Sequence, residues 1–203
     1  MAYIVDAMKL TKEIINQLKE NLNKERFLHS QGVMNTAIKL ADIYGVDESK
    51  SAIAGLLHDC ARGMDTENQL KMAVSFGILL DDIEKREKVL IHGPLGAVIA
   101  KKDYGINDEE ILKAIRIHTT GDTNMSLFDK IIFISDFIEP LRSFPGVDEI
   151  REKAFESKDL DGAIIGAFDS TIRYVLSRGS LLHPRTILSR NFILMQRESE
   201  GKA

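Results

Sequence analysis

The sequence predicts an all-α fold, arranged as a single compact domain of about eight to ten helices. Apolar residues recur at steps of three and four through most of the chain, which is the spacing of one helix face. Alternating patterns typical of strands are absent, and the best strand-like triplet, residues 89–91, is short. Only four prolines interrupt the 203 residues. Short loops between the helices favour an irregular helical fold over an up-and-down bundle.

The first part of the chain predicts two long helices. The N-terminal helix, within residues 1–25, carries Leu10 and Ile14 on its apolar face. The second is expected over residues 24–44, with Gly45 ending it because glycine readily adopts the left-handed conformation that follows a helix.

Capping residues indicate where the next helices begin. Asp47 can cap a third helix, which continues through the apolar run 53–57. Capping boxes are expected at two further starts, Thr66 with Gln69 and Asn107 with Glu110. Three acidic residues are interpreted as a helix start on the surface: Asp81, Asp82 and Glu84.

Three helices are expected in the second half of the chain. Residues 126–138 predict a strongly apolar, buried helix that Pro140 ends. Residues 160–178 predict a long helix followed by Gly179, and Pro184 can open the last helix, to about residue 197.

Composition and charge exclude several classes of protein. Apolar residues make up 44% and charged residues 29%, which excludes a disordered or collagen-like chain. Lys and Arg number 27 against 31 Asp and Glu, so no basic surplus indicates nucleic acid or an anionic membrane as partner. The one cysteine, Cys60, rules out an internal disulfide and favours the cytoplasm. No segment is apolar enough to span a bilayer or to serve as a signal peptide.

The five histidines form the most informative pattern. His58 and Asp59 are adjacent at the end of the apolar run 53–57, which is expected to bury both. A buried carboxylate needs a strong partner, and a divalent metal ion is one. Imidazole nitrogen with carboxylate oxygen suits iron, manganese, cobalt or zinc.

Asp136 and His29 have similar settings. Asp136 lies in the apolar run 131–138, where an unpaired charge is costly. His29 shares a helix face with Val33 and Ala37 and is expected to point at the core. Each residue alone also fits a hydrogen-bonded core histidine, a chance pair or a carboxylate paired with arginine. Their joint occurrence predicts a metal site made of four residues: His29, His58, Asp59 and Asp136.

His92 and His118 lie at helix boundaries, where side chains commonly face a cleft. A capping or surface role is one interpretation. The functional interpretations are a second metal ion or direct contact with a substrate phosphate. Two ions bridged by Asp59 would suit hydrolysis of a phosphoanhydride.

Two arginines are candidates for binding phosphate. Arg62 follows the His-Asp pair by one helical turn, and Arg142 follows Asp136 by six residues. A guanidinium group can hold phosphate with two hydrogen bonds, although either arginine also fits a solvated salt bridge. Gly63 would let backbone amides face a phosphate, and Cys60 is expected to pack rather than to bind metal.

This pattern resembles the HD-domain superfamily of metal-dependent phosphohydrolases. More closely, the chain is similar over about residues 26–190 to the YqeK family of bacterial symmetrical diadenosine tetraphosphatases. The matching segments are RFLHS (26–30), GLLHDCAR (55–62), HGPLG (92–96), HTTG (118–121), DFIEPLRSFPG (136–146) and RGSLLHPRTILSR (178–190).

The resemblance implies hydrolysis of diadenosine tetraphosphate at its centre to give two ADP molecules. Iron is the implied cofactor, with manganese, cobalt or zinc as alternatives and a second ion left open. The implied metal ligands are His29, His58, Asp59 and Asp136, with His92 and His118 as candidates for the second ion. The implied catalytic residues are His58, Asp59, His92 and His118. The implied substrate-binding residues are His29, Arg62, Gly63, Met64, Asp65, His92, His118, Thr119, Asp136, Arg142, Gly179, Ser180, Leu181, Leu182, His183 and Pro184.

The expected domain organisation is one domain over residues 1–203, with the site within about 26–190 and a helix end and tail over 191–203. The expected partner is a dinucleoside polyphosphate or ADP, with no nucleic acid or membrane, and a homodimer is left open. Three rival functions remain: a nucleotidase or phosphodiesterase for another nucleotide, a nucleotide-sensing module without catalysis, and a diiron oxygenase. The intact ligand set argues against the sensing module.

Overall fold

The structure, a computed structural model, describes residues 2–201, with side chains from residue 12 onward. Within that range eleven α-helices and two short 3-10 turns form the fold, and no residue is in a strand. The helices are α1 (Ala2–Asn21), α2 (Lys24–Tyr44), α3 (Glu48–Leu57), α4 (Thr66–Ser75), α5 (Asp82–Arg86), α6 (His92–Asp103), α7 (Glu109–Ile117), α8 (Leu127–Ile138), α9 (Val147–Phe155), α10 (Leu160–Ser177) and α11 (Pro184–Ser199). The 3-10 turns are Cys60–Gly63 and Lys88–Ile91. The all-α prediction is therefore confirmed.

Most helix boundaries follow the sequence signals. Gly45 ends α2 in the left-handed conformation, and the Asp47 side chain caps α3 by accepting from the Lys50 amide. Ile14 is buried as expected, while the side chain of Leu10 lies outside the described residues. Residues 89–91 belong to a 3-10 turn rather than to a strand.

Two predicted caps are wrong by one residue. Asp65, not Thr66, caps α4, and Asp108, not Asn107, caps α7. In each case an aspartate carboxylate accepts hydrogen bonds from amides of the first turn.

The acidic helix start at α5 is only partly at the surface. Asp81 is the N-cap of α5 and forms a capping box with Glu84. Glu84 is buried, because its carboxylate turns back to accept from the Asp81 amide.

Helix α8 lies at the centre of the fold and packs against α2, α3, α7 and α10. Its side chains Ile131, Ile132 and Ile134 are completely buried, which explains why this helix is so uniformly apolar. Among the described residues, no helix is long and apolar enough to cross a membrane.

Helices α2 and α3 approach each other closely at Gly55. A Cβ atom at this position would lie 3.0 Å from the Cα atom of Met34, so a larger residue would force the helices apart. The close approach brings His29 of α2 beside His58 at the end of α3. The packing of small residues in the core therefore sets the spacing of the polar cluster.

Candidate metal centre

Four predicted ligands from α2, α3 and α8 converge in a first pocket. Nε2 of His29 lies 3.1 Å from Nε2 of His58 and 3.0 Å from Oδ1 of Asp136. Oδ2 of Asp59 lies 3.9 Å from Nε2 of His29 and 3.8 Å from Nε2 of His58. His29, His58 and Asp59 are buried, whereas Asp136 is partly exposed and marks the open side of the pocket.

The hydrogen bonds of the two histidines turn their lone pairs into this pocket. Nδ1 of His58 donates to the carbonyl of Gly55 at 2.8 Å, and Nδ1 of His29 donates to Oε1 of Glu139 at 3.0 Å. In this tautomer of the neutral ring, each Nε2 atom carries the lone pair that a metal ion binds. Two imidazole nitrogens and two carboxylates that face one another form a donor set that can hold a metal ion.

His92 and His118 form a second pocket of the same design. Their Nε2 atoms lie 3.0 Å apart, and their Nδ1 atoms donate to the carbonyls of Val89 and Ile115. In the neutral tautomer that donates from Nδ1, the short contact brings the lone pairs of both Nε2 atoms together, where a metal ion can bind them. Burial lowers the pKa of His92 to about 3, which disfavours a proton as the stabilising cation.

Asp59 lies between the two pockets. Its Oδ2 faces the first pocket, while its Oδ1 lies 3.2 Å from Nε2 of His92 and 3.8 Å from Nε2 of His118. A carboxylate in this position can bridge two metal ions. The side chains therefore fit a metal ion in the first pocket, and those of the second pocket form another group that could hold one.

The electrostatics of the pockets favour charged carboxylates and a neutral imidazole at His58 and His92. Burial raises the pKa of Asp59, but the neighbouring histidines lower it further, so the pKa lies below its ordinary value. Burial lowers the pKa of His58 to about 4. Burial also lowers the pKa of His29, yet its interactions with Asp136 and Glu139 outweigh this effect and raise the pKa above its ordinary value, so a metal ion at Nε2 competes with a proton. Deprotonated carboxylates and accessible imidazole lone pairs are the forms that metal ions bind.

Sequence reasoning missed Glu139 as a functional residue. It is buried at the end of α8, where one oxygen accepts from His29 and the other accepts from the amide of Leu141 at 2.8 Å. A carboxylate behind a ligating histidine fixes its ring and increases its basicity. An acidic residue directly before Pro140, at the end of an apolar helix, was the available signal.

Three arginines surround the two central aspartates. Arg142 donates to Oδ1 of Asp136 at 2.6 Å, and Nε of Arg62 lies 3.7 Å from Oδ2 of Asp59. Arg26, which the sequence analysis did not select, donates to the same Oδ2 at 3.1 Å. Its position one turn before His29 on α2 could have identified it.

Arg151 on α9 holds the loop that carries Arg142. Its guanidinium group donates to the carbonyls of Ile138, Glu139 and Arg142. This buttress fixes the chain between α8 and α9, and so the position of the Arg142 side chain.

The other predicted substrate-binding residues near the first 3-10 turn have clear structural contacts. The guanidinium of Arg62 lies 3.4 Å from the ring of His92. Gly63 packs so tightly against the end of α1 that a Cβ atom would lie 2.2 Å from the Asn21 carbonyl oxygen. Asp65 is occupied as the N-cap of α4, and Met64 packs against the core beside it.

The remaining predicted substrate-binding residues are Thr119 and the segment Gly179–Pro184, and only Thr119 lies near the histidine pockets. Thr119 lies beside Gly93, at the start of α6, close to the His92 and His118 pair. The segment Gly179–Pro184 contacts α5: the Leu181 amide donates to Glu87, and Nε2 of His183 donates to Asp81 at 2.8 Å. Its described contacts do not reach the metal pockets.

Cys60 packs in the core next to Asp59. Its thiol donates to the carbonyl of Gly96 at 3.4 Å, and burial raises the pKa of the thiol. This setting agrees with the expectation that Cys60 packs rather than binds metal.

The fold and the histidine–aspartate centre define the class of protein. The family model described as "HD domain" matches residues 26–141. A symmetrical bis(5'-nucleosyl)-tetraphosphatase of Halalkalibacterium halodurans is 40% identical over 181 residues, which are 89% of this chain and 95% of that protein. The enzyme of the same name from Bacillus subtilis is 36% identical over 183 residues, 90% of this chain and 97% of that protein.

A solved structure gives the same result. The crystal structure of a predicted HD superfamily hydrolase involved in NAD metabolism, from Clostridium acetobutylicum, has a TM-score of 0.87 and 46% sequence identity. The match covers 91% of this chain and 97% of that chain. The chain thus belongs to the HD-domain family and, within it, to the family of symmetrical bis(5'-nucleosyl)-tetraphosphatases, which confirms the resemblance found in the sequence.

Proposed function

We propose that the chain hydrolyses diadenosine tetraphosphate at its central phosphoanhydride bond and releases two ADP molecules. The observation that carries this proposal is the position of Asp59, which joins two imidazole pockets inside a group of three arginines. The relatives from Halalkalibacterium halodurans and Bacillus subtilis are named for this reaction, and the chain spans nearly their full length.

The first pocket holds the metal ion through His29, His58, Asp59 and Asp136. His92 and His118, together with Asp59, provide the ligands for a second ion. The nitrogen and oxygen donors suit iron, manganese, cobalt or zinc, and iron is the metal that the family resemblance favours. A divalent ion held there would supply Lewis-acid activation of a phosphoryl oxygen and a lower pKa for bound water.

The arginines bind the tetraphosphate. An acidic protein must concentrate positive charge locally to bind a polyanion, and Arg26, Arg62 and Arg142 provide that charge at the open edge of the metal centre. Arg142 is 40% exposed at its side chain, so it can exchange its contact with Asp136 for a phosphate oxygen. Its planar guanidinium group then neutralises the charge that develops on the reacting phosphate.

The buried residues around the centre orient the ligands. Glu139 and the carbonyl of Gly55 hold the rings of His29 and His58, so that both lone pairs point to the same place. The two rings are thus oriented before substrate binds. The leaving ADP is a stable anion near neutral pH, and no separate general acid is assigned.

The segment Gly179–Pro184 borders one nucleoside. It is held to the residues at the two ends of α5, through the Leu181 amide at Glu87 and the ring of His183 at Asp81. We also propose that these groups belong to one domain over residues 1–203 and that the enzyme works in the cytoplasm, for which the single cysteine is the supporting observation.

Product analysis tests the proposed reaction. Protein purified without chelator is incubated with diadenosine tetraphosphate, and nucleotides are separated by chromatography. ADP as the sole product, abolished by chelator and restored by one of the four metals, supports the proposal. Equal amounts of AMP and ATP would contradict symmetrical cleavage. Parallel assays test the rival functions. Mononucleotides and cyclic nucleotides as substrates test the nucleotidase and the phosphodiesterase, and oxygen consumption tests the diiron oxygenase.

A further inference from the structure

A cavity of about 420 Å³ lies between the α8–α9 connection and α10, next to the metal centre. This volume is within the range of small-molecule pockets. Phe137 and Phe144 line one side, and Ser170, Thr171 and Tyr174 of α10 line the other. None of these residues is required by the metal centre.

The chemistry of the cavity suits a purine nucleoside. The rings of Phe137 and Phe144 meet edge to face, with centroids 4.9 Å apart, and form a firm apolar wall. Tyr174 is 65% exposed, so the fold gains little from its ring. An exposed aromatic ring beside an apolar wall provides a stacking surface for a base. The hydroxyl groups of Ser170 and Thr171 offer donors and acceptors to the base edge or the ribose.

Arg142 connects the cavity to the metal centre. Its side chain lines the cavity, and its guanidinium group contacts Asp136 of the first pocket at 2.6 Å. A phosphate bound to this guanidinium group would thus have the metal centre on one side and the cavity on the other. The buttress from Arg151 keeps this wall in place.

We infer that this cavity binds the second adenosine of the dinucleotide, the one that does not contact the segment Gly179–Pro184. The inference rests on the proposed function, because central cleavage places an ADP unit on each side of the reacting bond. The two nucleoside positions lie on different elements: Gly179–Pro184 contacts α5, whereas the cavity is formed by α10 and the α8–α9 connection.

The test compares a ligand that has two nucleosides with one that has a single nucleoside. The KM for diadenosine tetraphosphate and the inhibition constant of adenosine 5'-tetraphosphate are measured for wild type, Tyr174→Ala and Tyr174→Phe. Leu176→Ala is the matched control, because Leu176 is 63% exposed on the same helix and does not line the cavity. Since Tyr174 is exposed, its replacement leaves the core intact.

Tyr174→Ala is expected to raise the KM for the dinucleotide about tenfold or more, as for loss of one base–aromatic stack. In the same variant, the inhibition constant of adenosine 5'-tetraphosphate stays within about twofold of wild type, because its one nucleoside uses the other position. Tyr174→Phe and Leu176→Ala behave as wild type toward both ligands. An unchanged KM in Tyr174→Ala, or an equal loss for both ligands, would overturn the inference. Wild-type protein that does not cleave the dinucleotide would overturn the proposed function and this inference with it.

Discussion

Glu139 contacts His29, a proposed metal ligand, without belonging to the proposed ligand set. It accepts from Nδ1 of His29 and is anchored by the Leu141 amide, so the ring cannot turn away from the pocket. Glu139→Gln keeps the size of the side chain but places an amide where a charged acceptor stood.

We expect Glu139→Gln to lower metal affinity about 10- to 100-fold, as is usual for a carboxylate that supports a ligating histidine. The measurement is competition with a chelator of known affinity. Glu149→Gln, at an exposed position of α9, is the control and should bind metal as wild type does. Unchanged affinity in Glu139→Gln would show that His29 needs no such support.

Asp136 and Arg142 touch each other but have different proposed roles. Asp136→Ala removes a metal ligand, so activity should fall to near background. Arg142→Ala removes only charge-assisted hydrogen bonds to phosphate, worth roughly 1.5–3 kcal/mol. That corresponds to a decrease of about 10- to 100-fold in kcat/KM.

The test is kcat/KM and metal content for Asp136→Ala, Arg142→Ala and Arg142→Lys. The lysine variant should recover part of the activity, because it keeps the charge but loses the bidentate geometry. Metal loss in Arg142→Ala, or wild-type activity in that variant, would refute this division of roles.

The sequence predicted that the proposed ligands would lie together, but not the residues that contact them. His58, Asp59 and Asp136 are polar residues in apolar helices, and burial of such residues demands a partner. Glu139 and Arg26 act through contacts with residues 110 and 33 positions away, and no local pattern reports such distances.

At the scale of single elements, the turn after α7 shows how a left-handed glycine positions the neighbouring site residues. Gly121 ends the segment that carries His118 and Thr119. Its backbone φ of +68° is one that residues other than glycine rarely adopt. A Cβ atom there would lie 2.5 Å from Cζ of the buried Phe168. Gly105 has a φ of +67° but nothing within 4 Å.

Alanine substitutions at Gly105 and Gly121 separate the energetic cost of backbone strain from that of steric overlap. Gly105→Ala should lower the free energy of unfolding by roughly 1–2 kcal/mol, the cost of a left-handed alanine. Gly121→Ala should lose about 1–3 kcal/mol more, because the methyl group must displace Phe168. Denaturant unfolding of both variants measures the difference. Equal losses would mean that Phe168 adjusts freely.

Helix boundaries show where local sequence signals are ambiguous. At α4 and α7, two adjacent residues can each cap the helix, and only the structure shows that Asp65 and Asp108 do so. Helix α9 was not predicted because Gly146 precedes it in a left-handed conformation and provides no capping side chain. The amphipathic faces of the long helices, by contrast, made their existence predictable.

At the scale of the whole molecule, the centre depends on helices that are distant in sequence. Helices α2, α3, α6, α7 and α8 each contribute a side chain near a helix end. The sequence indicated which residues would meet, but the position of Asp59 between two pockets depends on how the helices cross. The cavity beside α10 was likewise not predictable, since it forms between segments about 30 residues apart in the chain.

The central claim is that His29, His58, Asp59 and Asp136 hold the catalytic metal ion. Anomalous X-ray diffraction at the iron edge and the edges of the alternative metals tests it most directly, with crystals of active protein purified without chelator. We predict a peak among Nε2 of His29, Nε2 of His58 and the two carboxylates. The peak should be missing in His58→Ala, together with the activity. Active crystals with no anomalous peak in this pocket would contradict the account.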